Sequence, residues 1–204
     1  MKKGNLLKIA SSLTLLSILV SGCASYNAAP LSNLSTEVLQ RAPVAEGGVV
    51  VAAKAFNKSD CKKFLDRDVM SQGYQPVQLY IENHSDKNYV FSLSRMSVPS
   101  ARSEEVAEKV HTSTVGRAVG YSVAGIFFWP LFIPAVIDGV KSSEANKSLD
   151  HDFSAKAAKD QMLFSHSHMN TVIFVPRDAY QSKFNITLIE EKTREPKVLE
   201  VQAS

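Results

Sequence analysis

Most of the nucleophilic and metal-binding potential of this 204-residue chain sits in five histidines and two cysteines. His166 and His168 are two residues apart, so both imidazoles share one face if the segment is a strand. A metal would need a third or fourth ligand. His151, between Asp150 and Asp152, could join them only if the fold brings it close. Histidines in a polar turn are more often solvated. Asp150, His151 and Asp152 also lack the glycine and further oxygens of a calcium loop. Glu190 and Glu191 could act as an acid/base pair, although a charged strand end is more often plain surface. Cys61 would need a base beside it to be a nucleophile, and no histidine lies in its local segment. There is no Gly-x-Ser-x-Gly elbow, phosphate loop, dinucleotide fingerprint or zinc-protease helix. The expectation is a protein that is not an enzyme, with no catalytic residues, no metal and no cofactor.

Cys23 has a different chemistry open to it. Lys2, Lys3 and Lys8 form a basic start, and residues 9–20 are apolar apart from small Ser and Thr. A run of about a dozen residues is too short to cross a bilayer of ~30 Å as a helix, and it reads as a secretory signal. An ordinary signal would end at Ala-x-Ala. Here Leu19, Val20, Ser21, Gly22 and Cys23 follow one another. This order, an aliphatic residue, two small ones and a cysteine, resembles the lipobox of bacterial lipoproteins. The resemblance covers only this segment. It implies a diacylglycerol thioether on Cys23, cleavage between Gly22 and Cys23, and acylation of the new N-terminus. Two or three chains at ~0.8 kcal/mol per buried CH2 make a stable anchor. The bland alternative is an uncleaved N-terminal helix with a chance cysteine. In such lipoproteins an Asp after the cysteine tends to retain the protein in the inner membrane. Ala24 therefore leans towards the outer membrane of a Gram-negative bacterium.

The formal charge is +3, but the three lysines of the signal account for all of it, since that segment has no acid. The mature chain would carry 20 basic and 20 acidic residues, and nothing suggests a nucleic-acid footprint. About 180 mature residues allow one domain with a real core. With Cys23 taken by lipid, Cys61 has no partner. It is buried, paired between chains, or a reactive thiol, burial being the commonest of these.

Residues 24–47 are small and polar, with two prolines, and read as a flexible linker lifting the domain off the membrane. At most one helical turn falls within 34–39. Residues 48–56 read as a strand. Residues 57–60 are a turn and helix start, followed by a short helix with Cys61, Phe64 and Leu65 inward. Val77, Leu79 and Ile81 alternate with Gln78, Tyr80 and Glu82, the pattern of a half-buried strand. Residues 89–93 would return as the second arm of a hairpin. Ser103 would cap a helix with Glu104 and Glu105 in its first turn, and Val106, Ala107 and Val110 as its apolar stripe. After the middle of the chain come a short alanine-rich helix at 154–159 and strands at 161–164, 171–175, 184–188 and 197–201.

Between the two groups of strands lies a second unusual stretch. Residues 118–137 carry no charge. As a straight helix they would span ~30 Å. Pro130 and Pro134 make that a poor helix, because each removes a backbone donor and clashes with the preceding turn. A helical hairpin bending at Trp129 and Pro130 fits better, its second arm ending near Asp150. Gly116, Gly120 and Ala124 recur every four residues and would form a helix-packing groove for the other arm or for a second molecule. Ile126, Phe127, Phe128, Trp129, Leu131, Phe132 and Ile133 make an apolar tip. That tip must be covered by the domain, dip into lipid or meet a partner, or belong to a true span.

The expected fold is α+β and mainly β. It is an antiparallel, immunoglobulin-like β-sandwich of about seven strands, split by a helical-hairpin insertion at about 103–158. The strands loosely resemble those of small bacterial envelope lipoproteins with β-sandwich domains. That likeness implies no catalytic residues. The expected organisation is a signal peptide at 1–22, a lipidated N-terminus and linker at 23–47, and one domain at 48–204. The expected function is a lipid-anchored envelope protein acting as an interaction or structural module. Its partners would be membrane lipid through acylated Cys23, together with an envelope protein or a second copy of itself. The other reading is a membrane-active protein whose hairpin inserts or oligomerises at a bilayer.

Overall fold

The computed structural model describes residues 25–41, 44–45, 47–112 and 132–204. Gly22, Cys23, Gly116, Gly120, Ala124, Ile126, Phe127, Phe128, Trp129 and Leu131 lie outside the described residues.

Eight strands and four α-helices are present among the described residues. In order they are α1 (Thr36–Arg41), β1 (Val44–Ala45), β2 (Val49–Ala55), α2 (Lys58–Leu65), β3 (Tyr74–Asn83), β4 (Tyr89–Phe91), α3 (Ser103–Lys109), α4 (Phe132–Lys156), β5 (Gln161–Leu163), β6 (His168–Pro176), β7 (Lys183–Glu190) and β8 (Pro196–Gln202). The strands form two sheets, in the orders β1-β2-β3-β6 and β5-β4-β7-β8, with every pairing antiparallel. The chain is thus an α+β fold with mainly antiparallel strands in two sheets.

Alternation in the sequence explains why the sheets share a core. Val77, Leu79 and Ile81 of β3 meet Phe184, Ile186 and Leu188 of β7 in one buried cluster with Phe91, Ile173 and Val201. At ~25 cal/mol per Å² of apolar surface, this burial is the main force holding the sheets together. Gly47 and Gly48, both at positive φ, turn β1 back onto β2. At the other end of the chain, Ala203 bridges Ala53 in parallel, and Ala55 N–H donates to the Ser204 carbonyl at 2.9 Å. The last residues therefore stitch one sheet to the other.

Several sequence expectations are corrected here. β4 does not pair with β3 but with β5 and β7. The Asn83 side chain makes the polar turn a crossing between sheets. It accepts from Ser85 N–H at 3.0 Å and donates to the Lys87 and Phe164 carbonyls at 2.7 and 2.9 Å. β3 is not half-buried, since Gln78 and Tyr80 on its outer face are 2% and 7% exposed. Ser103 is the first residue of α3 rather than its cap; Arg102 stands at that position and makes no side-chain cap bond. The expected break at 150–152 and the separate helix at 154–159 are replaced by one helix running to Lys156. Pro134 falls in the first turn of α4, where its missing N–H costs nothing. Among the described residues no helix is long and apolar enough to cross a membrane.

Two compact units divide the chain: residues 1–26 with 111–148, and residues 27–110 with 149–204. In the first, Asn146 braces the chain after α3. It accepts from Thr112 N–H at 2.9 Å and donates to the Thr112 carbonyl at 3.2 Å. The second unit holds both sheets. It begins at Asn27.

Candidate functional site: the pole where the chain leaves the β unit

The stretch expected as a linker is bound to the β unit over most of its length. Asn27 N–H donates to Asp66 Oδ2 at 3.0 Å, and Ala29 N–H to the Lys63 carbonyl at 2.8 Å. Gln78 Nε2 donates to the Ser32 carbonyl at 2.7 Å and to Asn170 Oδ1 at 2.7 Å. Leu34 is buried against Ala52 and Tyr80. These bonds carry the strap from the end of α2 across the outer face of the first sheet. They also explain why polar Gln78 is buried at no cost: its donors are matched.

α2 supplies the pole. Asn57 caps it through a reciprocal pair, Asp60 N–H to Asn57 Oδ1 at 2.9 Å and Asn57 N–H to Asp60 Oδ2 at 3.1 Å. Cys61, Phe64 and Leu65 are buried as their spacing predicts, and the Phe56 and Phe64 rings lie 5.5 Å apart. Burial, first, and then Asp68 and Asp60 push the Cys61 thiol up to about 12, which disfavours the thiolate, and Cys61 packs as a core residue.

Asp66 ends α2 in the left-handed region at φ 49°. Burial alone would raise its carboxyl. The Lys62 ammonium, the Asn27 N–H and the Arg67 charge outweigh that and hold it below the usual carboxylate range. Lys62 and Asp66 are in direct hydrogen-bond contact. Arg67 Nη1 donates to the Asp66 carbonyl at 2.7 Å and to Oδ2 at 3.2 Å, and Arg67 Nε donates to the Val110 carbonyl at 3.2 Å. Asp66 and Arg67 therefore join Asn27 to Val110. Those two residues border the places where the chain passes out of the β unit.

Lys156 fastens the third passage. It is 7% exposed, and its ammonium donates to the Ala29 carbonyl at 2.8 Å, the Phe64 carbonyl at 2.6 Å and Asp152 Oδ2 at 2.6 Å. All three donors of the ammonium are satisfied, which is what makes a buried lysine tolerable. Phe153, one turn earlier on α4, stacks on Phe174 of β6 at 5.5 Å. Sequence reading missed Lys156, Asp66 and Arg67. The available signal was the i, i+4 spacing of Asp152 with Lys156 and of Lys62 with Asp66. Nothing in the sequence marked Asn27.

Elsewhere the chemistry is already spoken for. Asp60, in the wall of a cleft of about 240 Å³ beneath the strap, is paired with Lys54 at 2.8 Å. Asp160 lines a second cleft of about 260 Å³ and accepts from Ser92 Oγ at 2.6 Å and Leu93 N–H at 2.8 Å, which hold its carboxyl low. A carboxylate so held is a poor base near neutral pH. His166 lies in the turn before β6, exposed, with Nε2 2.9 Å from Asp86. His168 stacks on Tyr80 at 5.5 Å, and His151 is exposed on α4. Among the described residues no three His, Cys, Asp or Glu side chains are placed to hold a metal. No family model, curated protein or solved structure matches the chain.

Proposed function

We propose that the chain is a lipid-anchored cell-envelope protein. Its two sheets form an immunoglobulin-like β-sandwich, the unit acts as a non-enzymatic interaction or structural module, and residues 103–158 are a helical insertion. The shared core and the crossed pairings of β3 with β6 and β4 with β7 support the sandwich. The observation that carries the functional reading is the convergence at one pole. Asn27, four residues after Cys23, and Val110, before the apolar stretch, are tied to the same Asp66–Arg67 pair. A protein held by lipid at Cys23 gains from having its two exits, at Asn27 and Val110, tied to one pair of residues, and that tie is what supports the reading. Membrane lipid through acylated Cys23 and an envelope protein are its partners, and the outer membrane of a Gram-negative bacterium is its place.

The same pole favours one second reading. An apolar segment leaving beside the tether has a bilayer within reach, so 118–137 inserts or oligomerises there. One experiment separates the two. The chain is exported with an ordinary cleavable signal and Ala in place of Cys23, then fractionated and sized. A soluble monomer supports the anchored module. Continued membrane association, or an oligomer that needs detergent, makes the 118–137 stretch the membrane element.

A further inference from the structure

We infer that the C-terminal end of α2 is a seat on the phospholipid surface, with Lys62 and Lys63 on headgroup phosphates. The inference rests on the lipid anchor at Cys23. A free linker over residues 24–47 would let the domain stand off by up to ~80 Å. The strap removes that freedom, because Asn27 and Ala29 are bound to Asp66 and Lys63. Asn27 is four residues on from Cys23, a span of at most ~14 Å when fully extended. The acyl chains must enter the bilayer within that distance of the pole.

What stands there is cationic and open. The Lys62 side chain is 75% exposed, and Lys63 is exposed with its ammonium 4.7 Å over the Phe64 ring. The carboxylate that Lys62 touches, Asp66, is buried and also accepts from Asn27 and Arg67. Lys62 spends one donor on Asp66 and keeps two. A tether of at most ~14 Å lets these ammonium groups approach a phosphate layer to within the Debye length of about 8 Å, where attraction survives physiological salt. The turn at 84–88 stands apart from that end: Lys63 and Phe64 share a cleft with Gln78, and the five residues from Gln78 to Asn83 set the turn about 17 Å further along β3.

The test uses the full-length lipidated chain in phosphatidylethanolamine–phosphatidylglycerol vesicles carrying a headgroup-linked quencher. One fluorophore is placed at S59C, on the lysine face of α2, or at D86C in the far turn. Cys61 is buried and does not take the label. Quenching confined to position 59, and lost on adding K62E and K63E while the protein still floats with the vesicles, supports the seat. Equal quenching at 59 and 86, or none at either, in protein that floats overturns the seat and leaves the anchor standing. A C23A chain that floats as well as its parent overturns the anchor, and the reach argument with it.

Discussion

At the residue scale, the side chains that matter are those whose burial is matched by several partners at once. Lys156 is the clearest. Lys156→Met keeps the stem and removes the charge, leaving the Ala29 and Phe64 carbonyls short of a donor. A buried carbonyl left without its donor costs about 1–3 kcal/mol. Urea unfolding followed by tryptophan-independent circular dichroism should show a loss of that order. Asp66 makes a prediction in pH. Its folded carboxyl releases its proton more readily than the unfolded one, so it stabilises the fold fully above the unfolded value of ~4. That contribution is lost as pH falls through the lowered folded value. Asp66→Asn should lower the urea midpoint at pH 7 and narrow the gap between the midpoints at pH 7 and pH 3. An unchanged gap would mean that other carboxylates carry the acid loss.

At the element scale, the strap and α2 behave as one piece. Leu34 is the strap's apolar pin, packed on Ala52 and Tyr80. Leu34→Ala should cost about 2 kcal/mol and speed amide exchange at Asn27 and Ala29. Stability loss without faster exchange at those amides would show that the pin acts locally. This is also where the sequence was hardest to read. Alternation placed Phe184, Ile186 and Leu188 inward, and the four-residue spacing placed Cys61, Phe64 and Leu65 inward, because local period and burial agree there. It failed for Gln78 and Tyr80, which look like a wet face and are covered by a segment more than forty residues earlier. A polar, proline-bearing stretch such as 25–35 has no period of its own. It is ordered by bonds it receives from Asp66, Lys63 and Gln78, and no local pattern announces those. Long-range pairing hid the partner of β4 in the same way.

At the scale of the whole molecule, the two sheets are held by their shared core and by the stitch at Ala203 and Ser204. Removing those two residues deletes the bonds to Ala53 and Ala55 and opens the edge of β2. The expected result is a loss of about 1–2 kcal/mol, with the largest rise in amide exchange at Ala55. If Ala55 stays protected, the sheets do not depend on the stitch. The candidate pole was legible in one respect. Cys23 and the uncharged 118–137 stretch stood out by composition, but nothing in the sequence said that the chain leaves the β unit for both beside the same pair of residues.

The bound strap has a consequence for proteolysis. A protease acts on an unpaired, extended segment, and segments free of hydrogen bonds are where chains are nicked. In a lipidated chain beginning at Cys23, Asn27 stands four residues on, and its amide is held by Asp66. An enzyme that sheds lipoproteins by cutting their stalks would have to peel Asn27 from Asp66 and Ala29 from Lys63 before it could close on its substrate. Shedding would then follow the local opening of the strap, and the lipid-free domain would be released only as fast as that opening occurs.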